Sequence, residues 1–216
     1  EGRVQLVYGQ DHQTDLLASY GGQVGAFGFS IETAQRYNEG FKTIDRSDQD
    51  TGYQIEDYVA KLSWQGDQHA LNLKAQYSDE KSDETYLGLT DADFEQNPDR
   101  RYGLSAPDKM TNDHNAVSIG WDWQVSATVA LNTTVYRNQF HRDWFKLSGG
   151  GALVEAANRG DAAAQSILDG EGDQLGLSFK HNNRRYVSEG FQTNLNWDWH
   201  EHAVAVGARY HEDEVD

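Results

Sequence analysis

The chain has 216 residues, a formal net charge of −17 at pH 7, no cysteine and a mean hydropathy of −0.81. The negative charge repels nucleic-acid phosphates and no basic stripe offsets it, so we expect no nucleic-acid partner. The absence of cysteine excludes disulfides, thiolate catalysis and cysteine-ligated zinc. No apolar run is long enough for a transmembrane helix. A membrane strand needs an apolar residue only at every second position, however, so composition does not exclude a membrane.

Alternation of apolar and polar residues predicts β-strands along most of the chain. The first three strands are expected near residues 3–9, 13–20 and 23–35. Six later segments repeat the pattern, with Asn, Gln, Lys, Asp, Ser and Gly on the polar side: 58–64, 71–77, 117–123, 129–135, 191–199 and 204–210. We therefore expect an all-β, antiparallel, up-and-down sheet of about nine strands with one polar face.

Short and long connections alternate between these strands. Short turns are predicted at residues 9–12, 21–22, 65–67, 124–126 and 200–201, and long loops at 37–52, 79–112 and 147–184. The last loop contains one Ala-rich helix candidate, residues 152–169, which Gly160 disfavours and Gly170 would end. Short turns at one end and long loops at the other are typical of an outer-membrane β-barrel, whose long loops face the exterior.

Aromatic residues collect beside the short turns, where a membrane barrel carries an interfacial girdle. Five of the six tryptophans and one tyrosine form this predicted girdle: Tyr20, Trp64, Trp121, Trp123, Trp197 and Trp199. We expect their rings to point away from a polar interior and toward lipid. The alternative is a soluble, carbohydrate-binding β-sandwich, in which exposed aromatic rings would stack on sugars.

Four segments resemble parts of TonB-dependent outer-membrane receptors, particularly the ferric-citrate receptor-like group. They are residues 84–94 (ETYLGLTDADF) with 97–102 (NPDRRY), residues 136–147 (YRNQFHRDWFKL), residues 185–192 (RYVSEGFQ) and residues 207–213 (GARYHED). The resemblance covers most of residues 40–216, whereas residues 1–39 fit a barrel without a distinctive motif.

This resemblance implies a 22-stranded transmembrane barrel that an N-terminal plug fills and that imports iron chelates across the outer membrane of a Gram-negative bacterium. Residues 1–216 would be one partial barrel segment, without the plug and without the C-terminal strands. The implied partners are an iron chelate, the lipid bilayer, and a TonB complex that acts only through the missing plug region. The open sheet edges also predict self-association of the isolated segment.

An anionic chelate would need cations at the barrel mouth, and arginine offers forked donors that match carboxylate oxygens. The candidate ligand-binding residues lie in or beside the long loops: Arg100, Arg101, Tyr102, Arg142, Trp144, Arg184 and Arg185. The alternative for each arginine is an ion pair with a nearby acid such as Asp99, Asp143 or Glu189.

Other chemistry finds little support in the sequence. His200 and His202 could share one face of a strand, but no third ligand is evident, so we expect no metal site. No nucleophile motif, phosphate-binding loop or dinucleotide fingerprint occurs. The sequence therefore predicts no enzyme and no cofactor, with the transported ferric chelate as the ligand.

Overall fold

The computed structural model describes residues 1–174 and 176–216 of the chain. Leu175, within the predicted loop 147–184, lies outside the described residues. In chain order, the strands are β1 (Gly2–Tyr8), β2 (Thr14–Val24), β3 (Phe27–Asn38), β4 (Thr43–Ile44), β5 (Tyr53–Gln65), β6 (His69–Ser82), β7 (Arg100–Arg101), β8 (Lys109–Ser126), β9 (Val129–Ser148), β10 (Ser178–Trp199) and β11 (His202–Val215).

Nine of these strands form one sheet, in the order β1-β2-β3-β5-β6-β8-β9-β10-β11, and every neighbouring pair is antiparallel. The predicted up-and-down sheet of about nine strands is confirmed. The sheet is open, with β1 and β11 at its edges. The only other sheet among the described residues is the two-stranded parallel pair β4–β7, so no second layer forms the sandwich that the alternative required.

Strand pairing separates the side chains into two faces. Phe27, Trp64, Leu71 and Trp121 are consecutive register partners, and their face is called the apolar face below. The next row along the strands belongs to the opposite face, the polar face, and consists of Gly28, Ser63, Asn72 and Gly120. Small and polar residues of the polar face, among them Ser30 and Lys74, line much of an open hollow of about 1030 Å³.

Each successive short turn lies further along the strands, measured from one row of register partners. Phe27 is the first residue of β3 and pairs with Val24 directly after the β2–β3 turn. Thr193 belongs to the same row of register partners, but it lies six residues before Trp199, the last residue of β10. The stagger is therefore about one residue per strand, which corresponds to a strand tilt of about 36° in barrels whose shear equals their strand number. Because the strands tilt by this angle, the short turns lie at about the same height along the barrel axis.

Two predicted turns were wrong in position. Gly21 and Gly22 lie inside β2, and the turn falls at Gly25, which has φ 58°, and Ala26. The β8–β9 turn falls at Ala127 and Thr128, because a β-bulge between Gln124 and Ser126 carries the pairing further. The short connections near residues 9–12 and 65–67 and the turn at 200–201 are confirmed.

The helices lie in the long loops. They are α1 (Asp91–Gln96), α2 (Gly151–Asn158) and α3 (Ala162–Leu168), with a 3₁₀ turn at Gly103–Ser105. The single helix predicted at residues 152–169 is wrong, because the chain breaks at Gly160, which has φ 89°. Asp161 then starts α3 by accepting hydrogen bonds from the backbone N–H groups of Ala163 and Ala164. Among the described residues, no helix is long and apolar enough to cross a membrane.

Candidate ligand site at the long-loop end

The predicted girdle residues lie on the apolar face. Near the short turns, Trp121 stacks on Trp123 and Trp197 on Trp199, with ring centroids 5.7 and 5.6 Å apart. Trp199 is 50% exposed, and no described element covers these rings. Tyr20 shares the face but lies in the middle of β2, because the predicted turn beside it is absent.

A second row of aromatic residues crosses the apolar face nearer the long loops. Tyr58 and Tyr77 are register partners on the apolar face and stack with centroids 6.4 Å apart. The next residues of that face toward the long loops are the acidic partners Glu56 and Asp79. Two rings of aromatic residues with apolar side chains between them are the pattern of a membrane-facing barrel wall.

The long loops at the other end of the sheet converge on Arg100. This guanidinium contacts Asp45 of the loop after β3 (2.9 Å), Asp93 of its own loop after β6 (2.6 Å) and Asp169 of the loop after β9 (2.7 Å). Arg100 is 24% exposed. Hydrogen bonds to the Asp45 carboxylate and the charges of all three acids outweigh the effect of burial, so the pKa of Arg100 is raised above its ordinary value. Arg100 therefore ties three separate loops together.

Tyr102 lies at the centre of the same cluster and is fully buried. Its hydroxyl accepts from the Thr90 backbone N–H at 2.9 Å and donates to Asp93 Oδ2 at 2.6 Å. Burial alone would raise the pKa of Asp93. Hydrogen bonds from Tyr102, Thr90 and Gln165 and the charge of Arg100 outweigh it, so this pKa lies below its ordinary value.

The loops also carry the buried apolar core of the described chain, which consists of Leu87, Tyr102, Leu104, Leu147 and Leu168. The β4–β7 pair joins the loop after β3 to the loop after β6 through Thr43 and Ile44. We call this body, formed by the described residues of the three long loops, the loop cluster. Its buried core also includes Leu147 of β9, and its ion-pair centre lies at Arg100.

Three of the predicted ligand contacts, Arg100, Arg101 and Tyr102, have their polar groups engaged within the protein. Arg100 is neutralised by three carboxylates, and Tyr102 has no exposed surface. Arg101 donates from Nη1 to the carbonyl oxygens of Pro98 at 2.9 Å and Arg100 at 2.5 Å. The polar atoms of these three residues serve the loop cluster, and the alternative of internal pairing applies to Arg100 in particular.

The remaining candidates meet on β9 and β10. Arg142 and Arg184 are direct register partners, and they lie on the polar face, since Arg142 is eight residues from Thr134, the partner of Gly120. Four residues further along β9, Lys146 is the register partner of Lys180. Trp144 and Asn182 are the partners between the two cationic pairs. We call Arg142, Arg184, Lys146 and Lys180 the cation patch.

The described residues give the cation patch no close ion pair. Within residues 1–174 and 176–216, none of its four cations lies within 4.0 Å of a carboxylate oxygen. Arg142 Nε and Trp144 Nε1 are buried without any hydrogen-bond partner. Like charges directly opposite each other destabilise a sheet, and buried unpaired donors cost free energy. An anionic ligand would relieve both costs.

Arg185 does not join the patch. Successive residues of a strand point to opposite faces, so Arg185 lies on the continuation of the apolar face, opposite His141. The sequence placed both arginines at the mouth but did not give the face of each. It also missed Lys146 and Lys180, although the four-residue spacing from Arg142 to Lys146 and from Lys180 to Arg184 would have placed each pair on one face of a strand.

Lys146 has an unusual environment for a cation. It is 8% exposed, and its Nζ lies 3.5 Å from the centroid of the Tyr86 ring and 3.9 Å from that of Trp144. Tyr86 meets Trp144 edge-on, with centroids 5.1 Å apart. The nearby Asp108 is almost fully buried, and this burial raises the pKa of its carboxyl despite hydrogen bonds from Tyr86, Leu147 and Ser105 and the charge of Lys146.

No arrangement of side chains in the described residues is suited to metal binding by the protein itself. The described ranges contain no group of three or more His, Asp and Glu side chains that could hold a metal ion. The predicted candidates His200 and His202 flank the last short turn, where both imidazole rings lie about 6 Å from Trp199. At the long-loop end, the polar face carries the four cations of the patch and the indole of Trp144.

No protein-family model matches the sequence, and no curated protein gives a significant match. Solved structures do match. The siderophore receptor PiuA from Acinetobacter baumannii is similar over 100% of this chain and 30% of its own length, with 11% identity and a TM-score of 0.77. The ferric citrate transporter FecA in its unliganded form matches 99% of this chain and 28% of its own, with 15% identity and a TM-score of 0.71.

The FrpB iron transporter from Neisseria meningitidis (F3-3 variant) matches the whole chain with 16% identity and a TM-score of 0.65, over 31% of its own length. The chain thus spans less than a third of each of these structures. At such identities the likeness concerns the fold. By that measure the chain has the fold of a section of β-barrel wall from the outer-membrane receptors for iron and siderophores, with nine strands in an open sheet.

Proposed function

We propose that this chain is a wall section of a TonB-dependent outer-membrane receptor that takes up an anionic iron chelate in a Gram-negative bacterium. The apolar face contacts lipid, the polar face lines the lumen, and the loop cluster stands at the exterior mouth. The work of the site is binding, with no bond-making step, and the ferric chelate is cargo. Energy from TonB would reach the whole receptor through a plug domain, and the open edges β1 and β11 would pair with further strands of the same barrel.

The observation that carries this proposal is the cation patch on the polar face. The whole chain has a net charge of −17, and among the described residues five of its eleven arginines form ion pairs with acids: Arg36, Arg46, Arg100, Arg137 and Arg159. Arg142 and Arg184 face each other without one. Guanidinium groups in this arrangement fit two carboxylate oxygens or two carboxylates of one ligand.

The test compares two neighbouring arginines that lie on opposite faces. Arg184→Gln removes a cation from the patch, whereas Arg185→Gln removes the same charge from the other face. In the full-length receptor in detergent, we expect Arg184→Gln and Arg142→Gln each to weaken ferric citrate binding about tenfold, since a charge-assisted hydrogen bond contributes about 1.5–3 kcal/mol.

Arg185→Gln should leave the dissociation constant within about twofold, because its side chain does not reach the lumen. A neutral ferric hydroxamate measured in parallel separates charge recognition from loss of fold. Equal effects of Arg184→Gln and Arg185→Gln on ferric citrate, or none from either patch arginine, would refute capture of an anion at this site.

A further inference from the structure

The geometry points to Lys146 as a further anion-binding residue that an aromatic clamp of Tyr86 and Trp144 holds ready for the ligand. This inference rests on the proposed function and adds to it a positioning device contributed by a different loop. It concerns the same site as Arg142 and Arg184 but a separate set of contacts.

The contacts of Lys146 are unusual for a lysine in an acidic protein. Its Nζ lies 3.5 Å from the Tyr86 ring centroid and 3.9 Å from that of Trp144, and no hydrogen bond from it is found within the described ranges. Lys146 is 8% exposed, so it is largely but not completely buried. Its position on β9 places it on the polar face, the same face as Arg142.

Ring faces attract an ammonium group without neutralising its charge. A carboxylate in the same place would neutralise it, and the protein has 35 acidic residues that could do so. The nearest buried acid, Asp108, has other partners: its two oxygens accept from the backbone N–H groups of Tyr86 at 2.9 Å and Leu147 at 3.3 Å. The charge of Lys146 acts on Asp108, but no carboxylate oxygen of the described residues lies within 4.0 Å of Lys146 Nζ, so ring faces take the place of a direct ion pair.

Both residues of the clamp are held in position by their own backbone environment. Tyr86 is anchored through its backbone N–H to Asp108, and the next residue, Leu87, is buried in the core of the loop cluster. Trp144 is fixed on β9 between Arg142 and Lys146. The position of the Lys146 charge therefore depends on a loop that Arg100 and Tyr102 hold closed from a different side.

The spacing of the patch indicates the ligand. Lys146 and Lys180 lie four residues along their strands from Arg142 and Arg184, about 13 Å at roughly 3.3 Å per residue. The indole of Trp144 lies between the two pairs on the same face, so the patch has two cationic poles. We therefore assign to the site a chelate that presents carboxylates at more than one pole, instead of one with a single charge.

The test uses the full-length receptor and ferric citrate as the probe, with dissociation constants from isothermal titration. Lys146→Gln should weaken binding about tenfold. Tyr86→Leu, which removes the ring face, should weaken it about fivefold, and Tyr86→Phe, which keeps the face, should stay within about twofold of the parent. The double variant Tyr86→Leu/Lys146→Gln should bind no more weakly than Lys146→Gln alone, because the ring acts only through the lysine.

Several outcomes overturn the inference. Tighter binding of ferric citrate by Tyr86→Leu would show that the Tyr86 ring blocks access to Lys146 instead of positioning it. Additive losses in the double variant would mean that Tyr86 contacts the chelate directly. An unaltered constant for Lys146→Gln removes the lysine from the site, and equal losses for a neutral ferric hydroxamate would reduce the role of Tyr86 to structure.

The arginine variants separate this inference from the proposed function. If Arg142→Gln and Arg184→Gln weaken ferric citrate binding while Lys146→Gln and Tyr86→Leu do not, only the present inference fails. If none of the four changes matters, anion capture at this end of the barrel fails with it.

Discussion

Arg100 Nη2 lies 2.7 Å from Asp169 Oδ1, although 69 residues separate them in the chain. The same guanidinium contacts Asp45 from the opposite direction in sequence. One side chain thus connects chain segments that are distant in sequence, and the free energy of its ion pairs offsets the entropy lost when these segments come together.

Removing the guanidinium should open the loop cluster while the sheet stays folded. Arg100→Gln leaves Asp45, Asp93 and Asp169 facing one another, so we expect a local loss of about 3 kcal/mol, in the range for breaking a partly buried ion pair. Limited proteolysis at neutral pH should then cleave within the loops after β6 and β9. Arg159→Gln is the control, since Arg159 is 72% exposed and its pair with Glu155 spans 4.0 Å.

Gly103 should be intolerant of a side chain. A Cβ at this position would lie 2.8 Å from the Asp169 carbonyl oxygen and 2.9 Å from that of Asp45, where the three loops meet. Gly103→Ala should therefore destabilise the cluster by about 1–3 kcal/mol, as overpacking does elsewhere. Gly88→Ala is the matched control because a Cβ there has open space. Similar protection from amide hydrogen exchange in both variants would contradict this close approach.

Acid should loosen the same cluster. The pKa of Asp93 is below its ordinary value in the folded chain, so its ionised form stabilises the fold at pH values above the ordinary carboxyl pKa of about 3.9. This stabilisation is lost as the pH falls through the lowered folded pKa. We expect the amide of Thr90, which donates to the Tyr102 hydroxyl, to lose hydrogen-exchange protection below about pH 4.

Asp93→Asn tests the origin of that change. The variant should show weaker protection of Thr90 at neutral pH and little further loss in acid. Asp108 has the opposite effect on the pH dependence of stability. Burial raises its pKa in the folded chain, so the stability that it contributes is lost as the pH rises through that raised value. A transition that persists unaltered in Asp93→Asn would therefore assign the acid sensitivity to another carboxylate.

The two faces of the sheet should respond differently to a new charge. Leu73 lies on the apolar face near the middle of the band and is 37% exposed, whereas its neighbour Asn72 lies on the polar face. Leu73→Arg should destabilise the full-length barrel in phospholipid vesicles by about 2–4 kcal/mol, the range for arginine facing the bilayer midplane. Asn72→Arg should cost far less, and equal unfolding midpoints in urea would show that the apolar face does not meet lipid.

The sequence alone determined the class of fold and the two faces of the wall. Period-two alternation is a local property of each strand, so residues such as Val117 to Trp123 revealed their face without knowledge of the partner strand. Tryptophans beside short turns likewise depend only on nearby residues. Turn positions were less certain, because Gly21 and Gly22 permit a turn but pairing with β3 keeps them in the strand.

The tertiary structure decided which polar residues remain free for a ligand. Arg100 and Arg142 look alike in sequence, each beside aromatic and acidic neighbours. Contacts across 55 and 69 residues neutralise Arg100, whereas the register of β9 and β10 sets Arg142 against Arg184. Local pattern fixes the direction of a side chain along a strand, but its partners come from chain segments that only folding brings together.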